Sequence, residues 1–169
     1  MKHEVHLYYS SAVIAKLNFK VFGTAKGIKK VLINNKPAVH DFTDEIKLRN
    51  DDPFLFGIFD ELDEYFNKGR KEFSVPLDIQ GTEFQKKVWK ELKKIPFGQT
   101  KTYKQIAEKI KNPKALRAVG GAIGANPVPI IIPCHRVLNT NGSLGGFSCG
   151  LEVKESLLEL EGSLCMELF

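Results

Sequence analysis

The sequence predicts a mixed α/β fold of the α+β kind: a small N-terminal β-sheet with one helix, then a mostly helical C-terminal half. Three observations predict it. Alternating β-branched and aromatic residues are concentrated in the first third. Two S/T-x-x-Q helix starts, Thr82 with Gln85 and Thr102 with Gln105, lie in the second half. Beyond them runs NPVPIIIPCHRV, Asn126 to Val137, too apolar for a surface loop and too proline-rich for a regular helix or central strand.

A chain of 169 residues suits one ordinary domain or two small ones, and 43% hydrophobic residues with ordinary charge reads as globular. No run approaches the roughly 18 apolar residues of a membrane span. MKHEVHLYYSSAV lacks the apolar core and cleavage site of a signal peptide. A reducing, cytoplasmic setting is therefore expected, with no membrane partner. The three cysteines, Cys134, Cys149 and Cys165, are odd in number and lack CxxC spacing. That argues against both a disulfide framework and a structural zinc site. His3, His6 and His40 have no cysteine near them in sequence and read as ordinary histidines.

In the first third, EVHLYYS, AVIAKLNFKVFG and KKVLINN read as strands of a meander, with turn signals at Gly23 to Gly27 and Asn34 to Pro37. Pro53 opens a helical pattern through Phe54, Ile58, Leu62 and Phe66 that ends near Gly69. EFSVPLDIQGT then reads as an extended linker, placing a structural domain over residues 1–76 and a second domain over 77–169.

The second domain opens at the Thr82 capping box, and Phe84, Val88, Leu92 and Ile95 form an apolar stripe with Trp89 beside it. A short helix follows from Thr102. Asn112 as N-cap with Pro113 at the first helical position predicts the next, PKALRAVGGAIGA. Two short helices on a tight connection form a helix-turn-helix pattern. From Phe84 to Arg117 there are 11 basic residues against Glu91 and Glu108, a balance of +9 in a chain whose total is +5. That local excess suits a polyanion. The second helix is lined with Gly and Ala, which lets its backbone approach a neighbour closely, and Arg117 is its one long side chain. After the proline-rich run, NTNGSLGGFSCG is a glycine-rich loop, with Phe147 and Ser148 as candidates for a pocket wall. A last helix, LEVKESLLELEG, is expected to bury Leu151, Leu157, Leu158 and Leu160. Glu161 ends it, where the helix dipole disfavours a carboxylate.

An imidazole is the commonest activator of a thiol, so Cys134 beside His135 is the candidate nucleophile and base. A thiol beside a DNA-binding element would act on DNA, and a base inside a duplex must be extruded to reach it.

GTEFQKKVWKELKKIPFGQTKTYKQIA, RAVGGAIGANPVPIIIPCHRV and GLEVKESLLELEG resemble the O6-alkylguanine-DNA alkyltransferases, from about Phe73 to Gly162. The resemblance implies a ribonuclease-H-like N-terminal domain and a winged helix-turn-helix-like unit. It implies Cys134 as alkyl acceptor, His135 as base acting through a water, and Glu161 orienting the histidine. Tyr103 would donate a proton to the departing guanine, and Asn126 would join the recognition helix to the active-site run. Thr102, Tyr103, Arg117, Ala118, Gly121, Ala122 and Arg136 would face DNA, in the minor groove, with Arg117 filling the vacated stack. Val137, Phe147, Ser148 and Cys149 would line the substrate pocket. Phe147 stands where tyrosine is frequent and Cys149 where glycine is usual, which bears on alkyl size. The resemblance implies a monomer that works once per molecule, on O6-alkylguanine with O4-alkylthymine as a further candidate substrate, and with no metal or organic cofactor. Three rival readings remain: a lesion-binding relative that does not repair, a Cys-His-Glu hydrolase, and a purely regulatory DNA-binding protein.

Overall fold

The computed structural model describes residues 7–34 and 45–164. The chain divides into two compact units, residues 1–80 and 81–169.

The first unit is a four-stranded sheet in the order β3-β2-β1-β4. It is formed by β1 (Leu7–Ile14), β2 (Leu17–Thr24), β3 (Gly27–Ile33) and β4 (Glu45–Lys47). The first three strands pair antiparallel, and β4 runs parallel to β1. The turn between β1 and β2 falls at Ala15-Lys16, inside what the sequence pattern reads as one strand. Both residues are left-handed, at φ 50° and 64°. A two-residue hairpin demands that geometry even without Gly or Asn, and the ladder from Tyr8↔Gly23 to Ile14↔Leu17 holds it there. Of the predicted turn from Asn34 to Pro37, all but Asn34 lies outside the described residues, as do His3, His6 and His40.

The predicted helix from Pro53 is two elements. Pro53–Leu55 is a 3₁₀ turn capped by the Asp52 side chain. The chain then breaks through Phe56 and Gly57, both at positive φ, before α1 (Ile58–Asn67) begins. Phe19, Val21, Ile28, Leu55, Ile58, Leu62 and Tyr65 form the buried core of this unit. The stretch read as an extended linker is tied to the sheet. Ile28 donates to Pro76 O at 2.8 Å, Asp78 N donates to Ile28 O at 2.9 Å, and Thr24 Oγ1 donates to Asp78 Oδ2 at 2.6 Å. Unpaired groups at the β3 edge recruit these residues, and the division falls after Gln80, a few residues past Leu77.

The second unit comprises α2 (Glu83–Leu92), α3 (Tyr103–Lys109), α4 (Leu116–Gly124) and α5 (Leu151–Leu160), with a two-residue parallel pair, β5 (Lys101–Thr102) against β6 (Val137–Leu138). Both predicted capping boxes are present, at Thr82/Gln85 and Thr102/Gln105. Helix α4 starts at Leu116 with Ala115 as N-cap, not at Asn112. Asn112 O instead accepts from Ala115 N in a preceding turn, so Pro113 lies in that turn. Trp89 is buried, and its Nε1 donates to Ala122 O at 2.8 Å, joining α2 to α4. Helix α5 buries Val153, Lys154, Leu157 and Leu158. Leu151 and Leu160, expected inside, are 51% and 40% exposed. They flank the helix at its ends, where one turn of apolar spacing does not specify burial.

Candidate active site

The run from Asn126 to Val137 is a compact loop that its own backbone and one asparagine hold closed. Asn126 Oδ1 accepts from Val128 N at 3.0 Å, and its Nδ2 donates to Ile132 O at 2.8 Å. Ile132 N returns to Val128 O at 3.0 Å. The loop turns at Ile130, a buried residue at φ 73°. A β-branched residue in that region is strained, so the surroundings must over-determine it. The side-chain amide satisfies backbone groups that would otherwise be orphaned in the interior, which makes Asn126 the organiser of the run.

The run delivers a 3₁₀ turn, Cys134–Arg136, whose three residues are all buried. His135 Nε2 lies 2.9 Å from Glu161 Oε1. Arg136 grips the same carboxylate twice, from Nε to Oε2 and from Nη2 to Oε1, each at 2.8 Å, and Nη1 donates to Ile95 O at 2.7 Å. Gly98 N adds a longer bond to Glu161 Oε2 at 3.3 Å. A carboxylate clamped by a guanidinium can only accept from its neighbours, so Nε2 carries the imidazole proton and Nδ1 carries the lone pair. His135 Nδ1 is buried and has no hydrogen-bond partner among the described residues.

The electrostatics explain why a base is needed. Burial pushes the Cys134 thiol up to about 12, opposed in part by a hydrogen bond from Asn126 and by the charge of Lys154. Burial also lowers the pKa of His135, against the pull of Glu161. A neutral imidazole beside a thiol that does not ionise by itself can take its proton only as the sulfur reacts.

The β5–β6 pair, Lys101↔Val137 and Thr102↔Leu138, sets the start of α3 beside the residue that follows the 3₁₀ turn. Tyr103 is half-buried, and burial together with Cys134 raises its hydroxyl pKa, which keeps it protonated. A Cβ on Gly145 would sit 3.1 Å from the Tyr103 ring and hydroxyl, and Gly145 has φ +69°. The glycine-rich loop therefore touches the tyrosine directly.

The remaining predicted residues separate by exposure. Arg117, Ala118 and Gly121 are exposed on α4, and Thr102 is half-buried with its hydroxyl capping α3. A Cβ on Gly120, Gly121 or Gly124 would meet nothing within 4 Å. The smooth face of α4 is thus open, and protein packing does not account for its glycines. Phe147 and Cys149 are half-buried and Ser148 is exposed. Two expectations fail. Ala122 points inward and its carbonyl is taken by Trp89, and Arg136 is consumed by Glu161 and Ile95. Neither side chain is available to DNA. Sequence reasoning missed Lys154, a lysine in register with Leu157 and Leu158 on the apolar face of α5. That register is the signal that could have found it.

A buried thiol flanked by an oriented imidazole, in one unit with an exposed basic helix pair, defines a class: nucleic-acid-facing cysteine proteins. Family models narrow it. Residues 83–163 match the DNA binding domain of 6-O-methylguanine DNA methyltransferase, and residues 8–79 match its ribonuclease-like domain. The inducible methylated-DNA–protein-cysteine methyltransferase of Bacillus subtilis is 44% identical over 168 residues, covering 96% of this chain and 94% of its own. That of Methanosarcina acetivorans is 56% identical over 103 residues, covering 61% and 66%. The crystal structure of Mycobacterium tuberculosis OGT in complex with DNA superposes with a TM-score of 0.80 at 38% identity, covering 94% of each chain. The Mycobacterium tuberculosis O6-methylguanine methyltransferase superposes at 0.83, with 36% identity and 95% and 96% coverage. The chain belongs to the 6-O-methylguanine DNA methyltransferase family. Its function is DNA repair by alkyl transfer.

Proposed function

We propose that this protein removes the alkyl group from O6-alkylguanine in duplex DNA by transferring it once to the Cys134 sulfur. The observation that carries this reading is the buried Cys134–His135–Glu161–Arg136 arrangement. It places in one buried turn a thiol that does not ionise alone and an imidazole with an unengaged Nδ1. His135 Nδ1 takes the thiol proton, through a water, as the sulfur attacks the alkyl carbon. The carbon–O6 bond breaks, the electron pair leaves with guanine, and Tyr103 supplies the proton that the guanine needs. Glu161 stabilises the imidazolium that forms. The product is a thioether, which water does not cleave, so each molecule reacts once.

The buried sulfur requires the nucleotide to leave the stack. The open Gly/Ala face of α4, with Ala118 and Gly121 exposed, suits the narrow minor groove, and Arg117 on that face fills the gap. Thr102 flanks the same surface. The backbone at Val137 and Ser148 reads the guanine edge, while Phe147 and Cys149 limit the alkyl group. The protein acts as a monomer, and the N-terminal unit serves as structural support.

Incubation with excess O6-methylguanine duplex is expected to restore guanine up to one equivalent per protein and then stop. Continued turnover would contradict single use, and multiple turnover of an ester would favour the hydrolase reading. Arg117→Ala is expected to slow repair of the duplex by roughly 10- to 100-fold. Its reaction with the free O6-alkylguanine base should stay near wild type. Equal losses on the two substrates would remove Arg117 from base extrusion.

A further inference from the structure

Lys154 is fully buried on α5, and its Nζ faces three carbonyl oxygens: Val137 at 2.6 Å, Gly146 at 3.4 Å, and Leu144. An ammonium has three donors and no acceptor, so this cradle suits the charged form. The groups it joins belong to separate pieces of the site. Val137 directly follows the turn that carries Cys134 and His135, and residues 144–146 are the loop segment that abuts Tyr103 through Gly145. Arg136, the other buried cation of the site, is held by Glu161. A buried ammonium is costly, and a leucine or methionine would pack the same face of α5 more cheaply.

We propose that the charged form of Lys154 is a positioning residue for alkyl transfer: it holds loop 144–146 and Tyr103 in place and offsets negative charge forming on Cys134. The proposal rests on Cys134 being the acceptor. Loss of the proton leaves two donors and a lone pair against three carbonyl oxygens, and it removes the cation that favours the thiolate.

Burial lowers the Lys154 pKa from 10.5 to about 8, while the Cys134 thiol stands at about 12. Below about pH 10 the thiol stays protonated and gives up its proton only as the sulfur reacts, so rising pH adds little through the sulfur itself. The same rise discharges Lys154, because a lysine with a lowered pKa keeps its proton only below that value. The other titratable groups that act on or from the sulfur are Cys149 on the loop and Tyr103 on α3, and His135 follows Cys134 on the same turn. His135, with its lowered pKa, is already neutral throughout this range.

Single-turnover methyl transfer is measured from pH 6.5 to 10 with saturating O6-methylguanine duplex, with duplex binding followed in parallel. The rate is expected to fall above about pH 8, approaching tenfold per pH unit, while binding changes far less. Lys154→Arg, whose guanidinium stays charged, is expected to lose the descending limb. Cys149→Ser is expected to keep it. A wild-type rate that is flat or rising to pH 9.5, with methyl found on Cys134, would overturn the role of Lys154 alone. Loss of the limb in Cys149→Ser would also overturn it. Absence of methyl on Cys134 at every pH would overturn the acceptor reading instead.

Discussion

Cys134→Ser is expected to bind methylated duplex as the wild-type protein does and to transfer methyl at least about 10⁴-fold more slowly. The substitution changes one buried atom at the start of the 3₁₀ turn and leaves the exposed residues of α3 and α4 untouched. A hydroxyl is a far weaker nucleophile than a thiol, and the base geometry built for sulfur cannot compensate. Serine is close to isosteric, so the hydrogen bonds of Asn126 and Arg136 should survive and the melting temperature should stay near wild type. Single-turnover kinetics with parallel binding measurements check this. Residual transfer within tenfold of wild type would mean that the alkyl group goes elsewhere.

Glu161→Ala is expected to damage both stability and chemistry. One carboxylate satisfies His135 Nε2, two guanidinium nitrogens of Arg136 and, more weakly, Gly98 N. Its removal leaves a buried guanidinium with Ile95 O as its remaining hydrogen-bond acceptor among the described residues. Breaking a buried pair from one side costs about 3–5 kcal/mol. For a unit of this size that lowers the melting temperature by roughly 10 °C or more. Transfer should fall as well, because the imidazole loses the contact that fixes its tautomer and the charge that stabilises its protonated form. Glu161→Gln separates the effects. The amide keeps the shape and one acceptor, so stability should recover more than the rate does. A Glu161→Ala protein that melts within 1 °C of wild type would show that the pair carries no structural load.

The parts of this molecule that were legible in the sequence are those governed by local chemistry. The capping boxes at Thr82 and Thr102 depend on residues three apart, and both stand where the pattern puts them. The run around Cys134 announced itself because prolines and isoleucines together admit neither helix nor solvent. Legibility failed where a distant partner decides. Arg136 was expected to face DNA because nothing near it in sequence reveals that Glu161 lies 2.8 Å away. Ala15 and Lys16 gave no turn signal, since the ladder between β1 and β2 imposes their left-handed geometry. Asn112 and Pro113 carried a helix-start signature that the chain spends on a turn, leaving α4 to begin at Leu116. Lys154 was hidden by a habit of reading, since a lysine in a helix is taken as solvated even when its register points inward.

The central claim is that the Cys134 sulfur is where the alkyl group ends. Mass spectrometry of the protein after one reaction with an O6-methylguanine duplex tests it most directly. A gain of about 14 Da, a methyl replacing a proton, is expected on the peptide that contains Cys134. No gain, or a methyl on the peptide that contains Cys149, would contradict it.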